Sequence, residues 1–282
     1  MTRTESVFPS RARYTQIMTE FGPSLKPTER FSGRVDAYRR FRAPYPREII
    51  DLLKEHCGLT RESIVADIGA GTGMLAEPFL ENGNRVLAVE PNPDMRAACE
   101  ELLARYPRLT CVDGTAEETR LADRSVDFIA VGRALHWFDQ DKCRPEFLRI
   151  LQNNGWVVLA SQGPLSRSDP VVQGFRTILK EHGLDFAQLR HRYDIEKASR
   201  SFFAGGELHE ADFPSVEEMT YDDLEGFMLS LSVTPQPDHP GFPAMQQALR
   251  QYFATYESGG KLLMPMSCKV HFGRLAGQVE RR

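Results

Sequence analysis

The 282-residue sequence has only two tryptophans and five cysteines. Cys57, Cys99, Cys111, Cys143 and Cys268 are odd in number, widely spaced and without a C-x-x-C pair. That excludes a disulfide framework or a zinc site as the organising device and predicts reduced thiols used for packing. No run of 18 apolar residues occurs, and the opening MTRTESVFPSRARYTQIM lacks the apolar core of a secretion signal, so a soluble cytoplasmic protein is expected. A dominant charge is missing as well: 35 basic and 39 acidic residues leave a net charge of −4. This balance gives no general attraction to nucleic acid or to anionic lipid. Internal repeats and low-complexity segments are absent too.

What is present is a chain with 41% hydrophobic residues, ample for a packed core. Residues 1 to about 30 mix Pro, Ser, Thr and charge without period and predict a mobile arm. FSGRVDAYRRFRAPYP sets aromatics among arginines and stops at Pro44 and Pro46, which reads as a short helix and a turn. In REIIDLLKEHCGL, residues Ile49, Ile50, Leu52, Leu53 and Cys57 share a helical stripe that Gly58 ends. A regular alternation follows: strand SIVADIG, helix MLAEPFLENG, strand RVLAVEP, helix PDMRAACEELLARYP, strand LTCVDG, a loop, strand SVDFIAVG, helix DKCRPEFLRIL and strand GWVVLAS. Short β-rich runs between amphipathic helices predict an α/β fold, a doubly wound and mostly parallel sheet covered on both faces. The loops leaving the strand C-termini are then the place for function.

Beyond Pro164, helical stretches at about 170–183 and 193–204 read as an insertion over the sheet edge. ELHEADFPSVEEMT and KLLMPMSCKVHFGRL, with helices YDDLEGFMLSLS and AMQQALRQYFATYE between them, can complete the sheet with two more strands, seven in all. The domain plan is an arm (1–30) and one domain (31–282). The latter divides into cap helices (31–57), a cofactor-binding core (61–163), a helical insertion (165–205) and completing elements (206–275).

VADIGAGTGM, residues 65–74, packs three glycines into five positions behind an apolar run. Dinucleotide turns seat a diphosphate on a helix N-terminus with the pattern G-x-G-x-x-G. Here Gly69, Gly71 and Gly73 bring the third glycine one residue early, and Met74 fills the slot. Asp67 stands behind the turn, where its charge repels a diphosphate and suits an ammonium or sulfonium group. Glu90 closes the second strand 21 positions past Gly69; an acid there accepts both hydroxyls of a ribose, in NAD or in S-adenosylmethionine alike.

With VEPNPDM, VDGTAEET and SVDFIAVGRALHWFD following in that order, the sequence resembles the class I S-adenosylmethionine-dependent methyltransferases, in particular the small-molecule methyltransferase type 11 group, from about residue 31 to 163. The resemblance implies a Rossmann-like methyltransferase fold with an N-terminal helical lid. It also implies that Asp67, Gly69, Ala70 and Gly71 line the methionine part of the cofactor and that Gly73 allows close helix packing. Glu90 would hold the ribose, with Pro91 and Met95 as an apolar floor under adenine. Gly114, Thr115 and Ala116 would meet the adenine edge. The group often has an acid at the position of Thr115, so either that hydroxyl or Glu117 accepts from the adenine amino group. Arg133 and Ala134 join the cofactor set from the loop after the fourth strand. This group commonly folds an N-terminal helix across the cofactor, which would bring Tyr38 to the sulfonium and Arg42 to the cofactor's carboxylate.

Methyl transfer from a sulfonium is an in-line displacement, which asks the protein for alignment and exclusion of water and needs no metal. His136, at the mouth of the sheet, is the candidate base for an attacking hydroxyl or amine; its other reading is packing against Trp137. Trp137 is either a wall of the substrate pocket or core, and Phe138 reads as core. Phe202, Phe203, Phe227, Met228 and Phe242 fit pocket walls or core equally. The insertion and the loop SVTPQPDHPGFP are expected to help close the pocket. The expected partner is a small molecule, with neither nucleic acid nor membrane. Two other functions stay open on the residues alone: an NAD(P)-dependent oxidoreductase, which Met74 and Asp67 disfavour, and a cofactor-binding regulator without turnover.

Overall fold

The computed structural model describes residues 35–164, 168–184 and 195–277. The arm expected over residues 1–30 and the start of the helix expected near 193 lie outside these. The described residues open with α1 (Val35–Phe41) and α2 (Glu48–Cys57). α2 buries Ile49, Ile50 and Leu53, and Gly58 ends it in a left-handed conformation whose N–H returns to Leu53 O. The alternation then runs β1 (Ile64–Ile68), α3 (Ala76–Asn82), β2 (Arg85–Val89), α4 (Pro93–Leu102), β3 (Leu109–Val112), β4 (Val126–Gly132), α5 (Gln140–Ile150) and β5 (Leu151–Pro164). After these come α6 (Pro170–His182), α7 (Ile195–Phe202), β6 (His209–Met219), α8 (Tyr221–Leu229), α9 (Phe242–Tyr256) and β7 (Leu262–Gly273).

The seven strands form one sheet in the order β3-β2-β1-β4-β5-β7-β6. All pair in parallel from β3 to β5, and β7 runs antiparallel to both β5 and β6. This agrees with the expected mostly parallel, doubly wound sheet. The strand order reverses between β1 and β4, so the loops after these two strands diverge and open a crevice at their C-terminal ends.

Strand alternation sends side chains to two faces. One face carries Val65, Ala88, Ala130 and Val158 under α2, α3 and α4; the other carries Ile68, Val89, Ile129 and Leu159 under α5 and α7. The two helices read as one insertion serve different layers. α7 brings Phe202 against Phe147 of α5, with ring centroids 5.6 Å apart, and covers the second sheet face. α6 turns Val172, Phe175, Ile178 and Leu179 into a third cluster with α8, α9 and the start of β7. Helical periodicity gives each of these helices an apolar stripe, and what separates them is which layer has matching volume to fill. Phe202, Phe203, Phe227 and Met228 are core residues of these clusters.

α1 docks on α8, where a Cβ added at Gly226 would run into the ring of Phe41. Alanine favours a helix over glycine by about 1 kcal/mol, but overpacking costs about 1–3 kcal/mol. Gly226→Ala is therefore expected to lower stability by about 1 kcal/mol, seen as a reduced denaturant midpoint with unchanged slope.

Candidate functional site

The crevice is built on the turn after β1. Gly69, Gly71 and Gly73 all have positive φ, at 69°, 57° and 84°. Gly69 and Ala70 donate their N–H groups to Val89 O at 2.9 and 3.1 Å, which ties the turn to the end of β2. A Cβ at Gly69 would sit 2.8 Å from Ala134 Cβ and 3.2 Å from the Phe138 ring, so the glycine lets the loop after β4 close against the turn. Gly71, in contrast, has nothing within 4 Å of the Cβ position. Its backbone faces open space where a ligand can approach.

Two carboxylates flank this turn. Glu90 Oε2 accepts from Gly71 N at 2.9 Å and Oε1 from Asn92 N at 2.9 Å. Each oxygen keeps a further lone pair, so the carboxylate is fixed in place and still able to accept two hydroxyls. Burial raises its pKa, opposed by those two amides and by Arg96. Asp67, only 1% exposed at the C-terminal end of β1, has no hydrogen-bond partner for either oxygen. Burial first, and the charge of Glu90 second, push its carboxyl up to about 7, with the nearby Ala76 amide opposing. An unpartnered buried carboxyl is costly, and a cationic group or an ordered donor at this point would relieve it.

Asn92, 2% exposed, accepts from Asp94 N and Met95 N and caps α4, which sets Met95 under the crevice with 3% exposure. Pro91 is half-buried beside it. Across the crevice Gly114 and Ala116 are buried, and Thr115 is exposed. The Thr115 hydroxyl accepts from Glu118 N at 3.1 Å, holding its own turn. Glu117 Oε1 accepts from Asp139 N at 2.8 Å at the start of α5. Both side chains expected to meet an adenine amino group are thus engaged in fixing the loop.

The loop after β4 carries Arg133 at φ 56°, a left-handed residue that is not glycine. Such a conformation costs about 1 kcal/mol or more and persists where surrounding contacts impose it. The guanidinium lies 4.9 Å from the Tyr45 ring centroid and 5.4 Å from that of Tyr38, with Nη2 3.3 Å from Met74 Sδ. Its enclosed Nε has no hydrogen-bond partner, and no described carboxylate forms an ion pair with it. Arg42 also lies against Tyr38, 5.2 Å from its centroid, and donates from Nε to Ser230 Oγ at 2.8 Å. The ring expected to face a sulfonium is therefore shared by two guanidinium groups, and Arg42 joins α1 to the end of α8. His136 and Trp137 follow on a short 3-10 turn, half-buried, with ring centroids 4.9 Å apart. Phe138 packs on the second sheet face and against Gly69.

Sequence reasoning passed over Tyr45, Thr72, Asn92 and Gln162. Tyr45 Oη, Thr72 Oγ1 and Gln162 Oε1 are buried polar atoms without partners at this end of the sheet. Only Asn92 had a local signal, an Asn before Pro at a helix start.

Residues 66–159 match a family described as a methyltransferase domain. An uncharacterized methyltransferase of Mycobacterium tuberculosis strain H37Rv is 41% identical over 125 residues, which is 44% of this chain and 49% of that one. The chain thus spans about half the length of that relative. An uncharacterized methyltransferase of Schizosaccharomyces pombe is 27% identical over 205 residues, 72% of this chain and 78% of that one. Among solved structures, a protein assigned as a type II methyltransferase from Anaeromyxobacter dehalogenans superposes with a TM-score of 0.58 at 21% identity, covering 83% of this chain and 97% of that one. The fold is similar to that of this solved structure, and the glycine turn, Asp67 and Glu90 all lie within the stretch that matches a methyltransferase domain.

Proposed function

We propose that the protein transfers a methyl group from S-adenosylmethionine to a small-molecule acceptor by in-line displacement. The observation that carries this reading is the pairing of an unpartnered buried carboxyl, Asp67, with a fixed dicoordinate acceptor, Glu90, on either side of the open backbone at Gly71. That pair of acceptors fits a ligand with a cationic amino acid at one end and a ribose at the other. Asp67, Gly69, Ala70 and Gly71 would hold the amino acid end, Glu90 the ribose, and Met95 the base. When bound, the cofactor supplies an electrophilic methyl group on a sulfonium. The work left to the chain is orientation and dryness, and Arg133, near Tyr38 of α1, Tyr45 and Met74, packs the N-terminal helix beside the end of the glycine turn. His136 would take the proton of a hydroxyl or amine acceptor.

The direct test is incubation of the protein with isotopically labelled S-adenosylmethionine and a metabolite extract, followed by mass spectrometry. A labelled product supports transfer; S-adenosylhomocysteine binding with no labelled product in any extract would favour a regulator instead.

Asp67 gives the binding reaction a pH signature. Its carboxyl titrates near 7 in the free protein, and an ammonium beside it favours the ionised form, so binding must release a proton below that value. Affinity for S-adenosylhomocysteine is expected to rise from pH 5.5 to about pH 7 and then level off. Asp67→Asn should flatten the profile; a profile unchanged in calorimetry would remove Asp67 from the site. The same shift acts on stability. A carboxyl raised on folding supports the fold fully below about pH 4, and that support is lost as pH rises through about 7.

His136→Ala is expected to lower turnover about tenfold at neutral pH, a small value for a general base because the half-buried ring leaves room for water to substitute. Cofactor affinity should not change. Equal turnover with the true acceptor would return His136 to packing against Trp137.

A further inference from the structure

Sequence distance hides one contact. Cys99 on α4 and Cys111 on β3 are 12 positions apart, yet their sulfurs approach to 3.7 Å. Among the described residues all five cysteines are free thiols, and no other cysteine pair is in such contact. Cys99 is 1% exposed, while Cys111 keeps part of its surface in solvent. The pair is therefore built as one sheltered and one reachable sulfur. When Cys111 ionises, the Cys99 S–H donates to it and holds its pKa below the ordinary thiol value; Arg96 assists, whereas burial, Glu100 and Asp67 oppose. The same hydrogen bond, with burial, raises Cys99.

The pair also touches the glycine turn. A Cβ added at Gly73 would fall 2.8 Å from Cys99 Sγ, so this sulfur is part of the wall that Gly73 rests on. Cys111 pairs in register with Ala88, two residues before Glu90, and the next residue, Val112, accepts from Glu90 N at 3.0 Å. Cys99 thus backs the glycine turn, and Cys111 lies on the strand beside the one that leads into Glu90.

We propose that Cys99 and Cys111 are an oxidation site, converted by a hydroperoxide into an intramolecular disulfide that loosens the glycine turn. The Cys111 thiolate attacks the outer oxygen of the peroxide; the O–O bond breaks, and the leaving alkoxide takes a proton to become an alcohol, or water from hydrogen peroxide. This leaves a sulfenic acid on Cys111. The Cys99 sulfur then attacks that sulfur, the S–S bond forms, the S–O bond breaks, and the hydroxyl leaves with the Cys99 proton as water. Two thiols are oxidised by two electrons, and one hydroperoxide is reduced. Sulfurs in a disulfide stand about 2.05 Å apart, so Cys99 Sγ must leave its place beneath Gly73. The turn loses its support, and binding at the crevice weakens. This last consequence rests on the cofactor site proposed above; the oxidation does not.

The test treats the full chain with a small excess of hydrogen peroxide, alkylates it, and maps peptides by mass spectrometry. The expected result is a loss of two of the five free thiols in one crosslink joining Cys99 to Cys111. A different pair, or sulfinic acid on Cys111 without a crosslink, would overturn the proposal. Cys99→Ser should leave a Cys111 sulfenic acid that dimedone traps. Affinity for S-adenosylhomocysteine should fall about fivefold or more on oxidation, a modest coupling between sites, and return with dithiothreitol. Cys111→Ser should keep its affinity through the peroxide treatment. If it loses affinity as the native chain does, oxidation of Met74 or Met95 is responsible and the loosening is refuted. Failure of the reduced protein to bind S-adenosylhomocysteine would count against the cofactor reading, while the crosslink map would still decide the oxidation.

Discussion

Gly69→Val is expected to abolish S-adenosylhomocysteine binding and to lower stability by about 3 kcal/mol, or roughly 6–12 °C in Tm for a domain of this size. Two costs combine at this position. A β-branched residue at φ 69° is strained by more than the 1–2 kcal/mol of an ordinary left-handed residue. The new side chain also meets Ala134 Cβ, 2.8 Å from its Cβ, and the Phe138 ring. Relief of that clash pushes the loop after β4 away from the turn after β1 and opens the crevice at its base. Isothermal calorimetry and thermal denaturation check both parts, and Gly69→Ala, with less bulk, serves if the valine variant does not accumulate. A valine variant with native affinity would show that the turn does not form the ligand seat.

Glu90→Ala is expected to weaken S-adenosylhomocysteine binding by about 1.5–3 kcal/mol, roughly 10- to 100-fold. The loss has a ligand part and a protein part. The ribose would lose a charged acceptor, and Gly71 N and Asn92 N would lose the oxygens that now hold them at 2.9 Å. Glu90→Gln separates the two. Its amide keeps one acceptor oxygen but points two N–H donors toward a site that presents donors, so it should bind almost as poorly as alanine. A glutamine variant with native affinity would mean that charge and acceptor count at this position are irrelevant.

The sheet was legible because its signals are local: each strand is a short apolar run with a turn behind it, and the helices between the strands call for parallel pairing. The glycine turn, Asp67 and Glu90 were legible for the same reason, since the 24 residues from Asp67 to Glu90 carry all of them. What the sequence concealed are pairings made by the fold. Arg42 and Ser230 are 188 positions apart, and no periodicity in either segment announces the other. Tyr45, Gln162 and Arg133 come from the segment between α1 and α2, from β5 and from the loop after β4, and reach the same end of the sheet only once it is assembled. The two helices after β5 showed their apolar stripes clearly, but a stripe does not name its layer. The cysteine pair was hidden for a related reason, because α4 and β3 must fold back on each other before the sulfurs meet.

The contact between α1 and α8 bears on the order in which a nascent chain can become native. α1 finds its seat against Gly226, Phe227 and Ser230, which leave the ribosome after the five strands β1 to β5. The early segments can assemble the β1–β5 sheet while α1 waits undocked. Closing a loop of 188 residues is entropically slow and is deferred to a late step. Truncation after β5 would therefore unseat α1, which precedes the whole sheet.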